Sequence, residues 1–220
     1  YEISACLVGS EMCIRDSDFT INAMAYNHKS GIVDEFDGIG DLNKHIIKCV
    51  GCAHDRFSED ALRMFRAVRF AAQLGFEIDK ETQDAIKELA PTMAKVSAER
   101  IQVELVKLLT SDHPEMMRNL YELGLTKVFM PEFDVMMQTP QNNKHHMYSV
   151  GEHTIRTLMN VRADKVLRLT MLLHDVAKPV CITTDEEGQD HFKKHPAVGA
   201  DMTKQILRRL KFDNKTCLLY

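Results

Sequence analysis

The sequence predicts a mainly α-helical protein whose few β-strands are gathered near its N-terminus. Extended, turn-bounded pieces occur only before about Val50, where DFTINAMAY (Asp18–Tyr26) and GIVDEFD (Gly31–Asp37) stand. Beyond Val50 the apolar residues recur at helical spacing. Asp79 and Ser97 precede such runs, while Pro91 and Pro114 punctuate them.

Taken in order, Gly38 and Gly40 mark a turn after the second extended piece. Asp34, Glu35 and Asp37 belong to that turn. Arg56–Phe76 (RFSEDALRMFRAVRFAAQLGF) reads as one helix, with Leu62, Phe65, Val68 and Leu74 on an apolar stripe. DKETQDAIKELA follows, capped by Asp79, and Pro91 breaks the chain. Ser97 is placed to cap a helix whose Ile101, Leu105, Leu108 and Leu109 share a face. HPEMMRNLYELGL has Pro114 near its start and Gly124 near its end, the expected polarity of a helix. Met130–Lys144 reads as a loop or linker. No internal repeat or low-complexity tract is seen.

The charged face of Arg56–Phe76 points to chemistry. Asp60 and Arg63 stand three residues apart, and Arg66 and Arg69 extend the row at the same spacing. A carboxylate beside a guanidinium offers an acceptor next to a fork of donors, which matches the polar edge of a nucleobase; further arginines suit phosphates. A solvated salt-bridged helix face would look the same.

A second constellation lies beyond the linker. His153 falls in a helical run (GEHTIRTLMNV), the adjacent pair His174 and Asp175 ends another, and His191 and His195 follow at i, i+4 spacing. Two imidazoles and a carboxylate suit a divalent transition metal or Mg²⁺ with open positions. His191 and His195 could add ligands or hold a substrate phosphate.

Both ends read as foreign sequence. In codons, Leu7–Asp16 (LVGSEMCIRD) fits a transposase adapter from a sequencing library, Tyr1–Cys6 fits its flanking primer, and Cys217–Tyr220 (CLLY) fits the same adapter on the opposite strand. Residues 1–16 and 217–220 are therefore set aside as adapter-derived. The first sixteen residues carry a net charge of minus two, leaving minus two of the stated minus four to the rest. Any basic surface must then be local. Cys49, Cys52 and Cys181 remain, a set without a disulfide framework that suggests a reducing cytoplasmic setting. Cys49 and Cys52 form a C-x-x-C, but no second pair accompanies it to complete a zinc site. No uncharged apolar run is long enough for a membrane span.

The order of motifs, DFTINAMAY, then GIVDEFDGIGDLNKHIIKCVG, then Glu59-Asp60-x-x-Arg63, resembles the class II tRNA nucleotidyltransferases, the CCA-adding enzymes, and their relatives the bacterial poly(A) polymerases. SAERIQVELVKLL (Ser97–Leu109) resembles the family helix that buttresses the template, and LRLTMLLHDVAKP resembles the HD phosphohydrolase motif. The resemblance covers nearly all of residues 17–216. It implies a remnant of the nucleotidyltransferase head sheet at 17–52, helical neck and body at 53–135, and a partial all-α HD domain at 136–216.

By that resemblance Asp60 and Arg63 pair with the base of CTP or ATP, Arg66 and Arg69 hold the triphosphate, and Asn22 positions the sugar or a neighbouring loop. Asp18, Glu59, Glu99 and Arg100 support the site. His153, His174 and Asp175 bind the HD metal. The family's last HD aspartate lies well beyond the His-Asp pair, and Asp201 and Asp213 come too early for it. The implied activity is addition or repair of the tRNA 3′-terminal CCA with Mg²⁺, tRNA being the partner and no protein partner being implied. Poly(A) addition, or HD-type hydrolysis of RNA ends, is the alternative. The family's Gly-Gly turn and Asp-x-Asp catalytic pair are not read before Asp18, so no catalytic residue is assigned and the chain alone is expected not to transfer nucleotides. The family usually has arginine where Ser17 stands, in a codon shared with the adapter.

Overall fold

The computed structural model describes residues 16–28, 31–141 and 148–217. The adapter reading of Tyr1–Arg15 and of Leu218–Tyr220 therefore lies outside the described residues. Helices dominate, and the strands form three two-stranded sheets.

After a 3₁₀ turn at Thr20–Asn22, β1 (Met24–Asn27) and β2 (Gly31–Asp34) form an antiparallel hairpin pairing Met24 with Asp34 and Tyr26 with Ile32. Where a turn was expected, Gly38–Asn43 forms a helix, α1. Its first amides are satisfied by Asp34, which accepts from Gly38 N at 2.8 Å and Ile39 N at 2.9 Å. Gly38 is required there, because a Cβ would lie 2.2 Å from the Thr20 carbonyl oxygen. Thr20 Oγ1 donates to buried Asp41 at 2.7 Å and ties α1 to the preceding turn.

The single helix expected over Arg56–Phe76 is two helices, α2 (Ala53–Glu59) and α3 (Leu62–Leu74). Asp60 interrupts them with extended backbone at φ −146° and ψ 106°. Apolar periodicity runs across this break, so periodicity could not reveal it. Helix α3 buries Leu62, Phe65 and Val68 as expected, and also Met64, Ala67, Ala71 and Ala72. It ends at Gly75, whose φ of 67° is open to glycine at little cost.

Strand β3 (Ile46–Ile47) pairs in parallel with β4 (Glu77–Ile78), clipping the N-terminal segment to the end of α3. Helix α4 (Lys80–Leu89) starts where Asp79 accepts from Thr82 N at 3.2 Å. A 3₁₀ segment, Ala90–Lys95, contains Pro91. Helix α5 (Ala98–Leu109) packs along α3, burying Ile101, Leu105, Leu108 and Leu109. Ser97 occupies its N-cap position without a side-chain capping bond. Pro114 opens a short 3₁₀ turn leading into α6 (Met117–Glu122), and Gly124 follows with φ 78°.

Short helix α7 (Thr126–Phe129) is followed by α8 (Pro131–Gln138), which occupies most of the expected linker. Pro131 sits at the helix start, where its missing N–H costs nothing, so it opens a helix instead of breaking one. Helices α9 (Val150–Met159) and α10 (Lys165–Leu173) are capped by Ser149 and Asp164. Then come α11 (Lys178–Cys181), the hairpin of β5 (Thr183–Thr184) and β6 (Asp190–His191), α12 (His195–Arg209) and α13 (Asn214–Cys217).

One apolar core runs from Phe19 through Leu105, Phe133 and Leu172 to Cys217. Polar braces join its two ends. Buried Arg168 of α10 donates to the Leu109 carbonyl at 3.1 Å and the Val161 carbonyl at 3.0 Å. Arg118 meets both oxygens of Glu152 at 2.8 Å, and Arg209 meets both of Glu132 at 2.8 and 2.7 Å. No helix among the described residues is long and apolar enough to cross a membrane.

Candidate functional site

The break between α2 and α3 gathers the first cluster. Asp18, brought in by the chain entering the Thr20 turn, accepts from Arg63 Nε at 2.9 Å through one oxygen and from Arg66 Nε through the other. Glu59, at the end of α2, pairs with Arg63 and with Arg56, the latter at 3.2 Å. Arg63 also donates to the Arg56 carbonyl at 3.1 Å. The two arginine contacts hold Glu59 below the usual carboxylate range against a small opposing effect of burial.

Asp60 is held from the other side. Its Oδ1 accepts from Leu62 N at 3.1 Å, capping α3, while Arg100 Nη2 reaches Oδ2 at 2.6 Å. Burial alone would raise its pKa; the Arg100 hydrogen bond, the Leu62 amide and nearby arginine charge outweigh burial and lower it. Asp60 and Arg63 are thus neighbours across a helix start, with Arg63 N donating to the Asp60 carbonyl at 3.0 Å, and do not share one helical row.

The row divides again at Arg69. Arg66 keeps a third of its side chain exposed, whereas Arg69 turns inward to Glu104 of α5, 2.8 Å from Nε, and to Gln73 at 2.7 Å. Its guanidinium also lies 3.5 Å from the centroid of Phe70. Arg69, which the resemblance expects to hold the triphosphate beside Arg66, is thus closed against Glu104 and Gln73. Of the other expected residues, Asn22 is exposed beside the cluster's entry turn, and Glu99 is exposed without a described contact to Asp60. Asp16 and Asp18 are spaced as Asp-x-Asp, yet Asp18 is already clamped by two arginines.

The second cluster lies where α9, the end of α10 and the start of α12 meet. Asp175 Oδ2 is 3.1 Å from His174 Nε2 and 3.7 Å from His153 Nε2, and Oδ1 is 3.9 Å from His195 Nε2. Ligand atoms of His153, His174 and Asp175 all fall within 4.8 Å of one another. His174 Nδ1 lies 2.7 Å from the Met171 carbonyl and His195 Nδ1 lies 2.6 Å from the Phe192 carbonyl, so hydrogen bonding there leaves each Nε2 facing Asp175. The donor set fits a divalent ion with open positions.

Burial opposes charge on His174, but its hydrogen bond to Asp175 and that carboxylate's charge overcome burial and raise its pKa. Asp175 is brought down to about 2: burial pushes it up, and the bonds from His174 and Lys178 more than offset that. His191 does not join. It stands in β6, before α12 begins, and pairs with Asp185 at 2.7 Å, so the helical i, i+4 spacing with His195 does not exist. Asp213 is engaged with Lys165 and Thr216.

Three family descriptions match. Residues 12–48 match the poly A polymerase head domain, 75–137 the probable RNA and SrmB-binding site of polymerase A, and 144–219 the HD domain. The first match begins inside the stretch read above as adapter. A CCA-adding enzyme of Leuconostoc mesenteroides is 53% identical over 96 residues, covering 44% of this chain and 24% of that protein. Another, from Limosilactobacillus reuteri, is 56% identical over 97 residues, with coverage of 44% and 24%. The solved structure of the Bacillus stearothermophilus CCA-adding enzyme in complex with CTP aligns with a TM-score of 0.62 at 30% identity, covering 96% of this chain and 45% of that one.

The chain is similar to CCA-adding enzymes, and its matches to the head, RNA-binding and HD descriptions follow one another along it. It spans about a quarter of the length of the curated CCA-adding enzymes it matches. The Thermotoga maritima CCA-adding enzyme complexed with tRNA_CCA shares the fold, with a TM-score of 0.60 at 21% identity over 94% of this chain and 46% of that one.

Beside these resemblances to CCA-adding enzymes, sequence reasoning missed three buried polar residues next to the two clusters: Glu104, Gln141 and Lys178. Glu104 could have been found, since a lone carboxylate on the apolar face of α5 demands a cation. Lys178 follows the His-Asp pair at i+3 from Asp175, and that spacing was a usable signal. Gln141 carried none, because its partner is remote in sequence.

Proposed function

We propose that this chain carries the base-selecting part of an enzyme that adds or repairs the 3′-terminal CCA of tRNA from CTP and ATP in the cytoplasm. The observation that carries the reading is the fixed cluster of Asp18, Glu59, Asp60 and Arg63 at the α2–α3 break. Asp60 supplies acceptors and Arg63 a fork of donors at adjoining positions, held before any nucleotide arrives, which is the preorganisation that base selection needs. Arg66 faces the triphosphate charge. Arg69, shut in against Glu104, aligns α3 on α5. Glu59, Arg100 and Asp18 position the pair.

In the whole protein the tRNA 3′ hydroxyl attacks the α-phosphate of CTP or ATP and pyrophosphate leaves. Mg²⁺, when bound, would supply charge neutralisation for that chemistry. Asp18 is committed to Arg63 and Arg66, so the cluster selects and does not itself carry the metal.

Equilibrium binding of CTP, ATP and GTP to the full chain tests the reading. CTP and ATP are expected to bind more tightly than GTP, and Arg63→Ala to weaken CTP binding about tenfold or more, as loss of a charged hydrogen bond does. Equal binding of all three nucleotides would overturn it.

The His153, His174 and Asp175 cluster favours a second activity, metal-dependent hydrolysis of phosphate esters at RNA ends. Cleavage of a 2′,3′-cyclic phosphate that is lost in His174→Ala and in chelator would support it; cleavage indifferent to both would remove it.

A further inference from the structure

We propose that Lys178 is a built-in counter-cation that competes with a divalent metal ion for Asp175, and that Gln141 holds it in place. The inference rests on the reading of His153, His174 and Asp175 as a metal site.

The geometry is specific. Lys178 Nζ lies 2.8 Å from Asp175 Oδ2, the same oxygen on which His174 Nε2 and His153 Nε2 converge. A divalent ion held by His153, His174 and Asp175 would set two positive charges against the ammonium group, where the Asp175 side chain is 5% exposed and the field is poorly screened. The carboxylate cannot serve both cations at full strength.

Lys178 is not a flexible surface lysine that could simply leave. It is 8% exposed at the first position of α11. Its ammonium has a second acceptor in Gln141 Oε1 at 3.0 Å, and it lies 5.4 Å from the centroid of the Phe192 ring. Gln141, itself 5% exposed, belongs to the segment joining α8 to α9 and donates to the Tyr148 carbonyl at 3.4 Å. A buried carboxylate without a counter-charge is costly, and the Lys178 ion pair offsets part of that cost while Oδ2 itself accepts no well-aligned hydrogen bond and stays open to a stronger cation. Divalent binding must therefore push the ammonium off Oδ2 and strain its bond to Gln141, which couples the site to the joint between α8 and α9. Gln141 is a positioning residue in this scheme.

Calorimetric titration of Mn²⁺ into the full chain tests it, with affinity and not turnover as the readout. Lys178→Met is expected to tighten Mn²⁺ binding about tenfold, the size of change that residues behind metal ligands produce. Gln141→Ala is expected to tighten it less, in the same direction, and His174→Ala to lose it. Unchanged or weaker Mn²⁺ binding in Lys178→Met overturns the competition while leaving the metal site standing. Should circular dichroism show that Lys178→Met does not fold, Gln141→Ala decides: an unchanged or weaker affinity there overturns the proposal. If neither the parent chain nor either variant binds Mn²⁺, the metal reading itself falls and this one with it.

Discussion

Arg69 of α3 and Glu104 of α5 form a buried ion pair, Nε to Oε2 at 2.8 Å, with side chains only 6% and 5% exposed. Removing one partner strands a charge in the core. Glu104→Ala is therefore expected to cost about 3–5 kcal/mol of stability, as broken buried pairs do. The double change Arg69→Met with Glu104→Leu is expected to recover most of it. Urea melts of the three chains check this, and a loss below about 1 kcal/mol for Glu104→Ala would show that the pair is exposed in solution.

The Asp60–Arg100 pair should behave in the opposite way. With side chains 32% and 51% exposed, it is worth no more than about 1 kcal/mol. The Asp60 pKa is lower folded than unfolded, so its contribution is present above the unfolded value of about 3.9 and is lost as pH falls through the folded one. The stability difference between the parent chain and Arg100→Ala, measured at pH 7, 5 and 3, is expected to shrink at the acid end. A constant difference would assign it to packing.

The two thiols of the C-x-x-C should react unequally. Cys49 is buried and its pKa is pushed up to about 12, chiefly by burial, while Cys52 is exposed. Iodoacetamide at pH 8 is expected to label Cys52 in the native chain and to spare Cys49 until denaturant is added. Equal labelling, or a Cys49–Cys52 disulfide in the native protein, would instead point to a redox pair.

Gly38→Ala should be poorly tolerated. The added Cβ meets the Thr20 carbonyl at 2.2 Å, and backbone has to shift to relieve it. A cost of about 1–3 kcal/mol is expected by thermal melting. The same change at Gly31, where nothing lies within 4 Å, would be limited to the strain of its φ of 77°.

Much of this architecture was legible in the residues. Helix period, Asp79, Pro114 and Gly124 located elements correctly because each acts through nearby backbone. The residues that failed did so through context. Asp60 looks helical until its carboxylate is seen capping α3. Pro131 reads as a breaker unless it is known to stand at a helix start. His191 looks like a ligand until Asp185, six residues back, takes it. Arg69 belongs to the row in spacing, but Glu104, thirty-five residues on, turns it inward.

Three arginines, Arg118, Arg168 and Arg209, tie the Glu152 helix, the Leu109 carbonyl and the Glu132 helix into one frame. A frame braced at several points resists hinging far better than one joined by a single strand of chain. The cluster at the α2–α3 break and the histidine cluster are then carried on the same braced frame, so that a change loosening one arginine brace is shared between them.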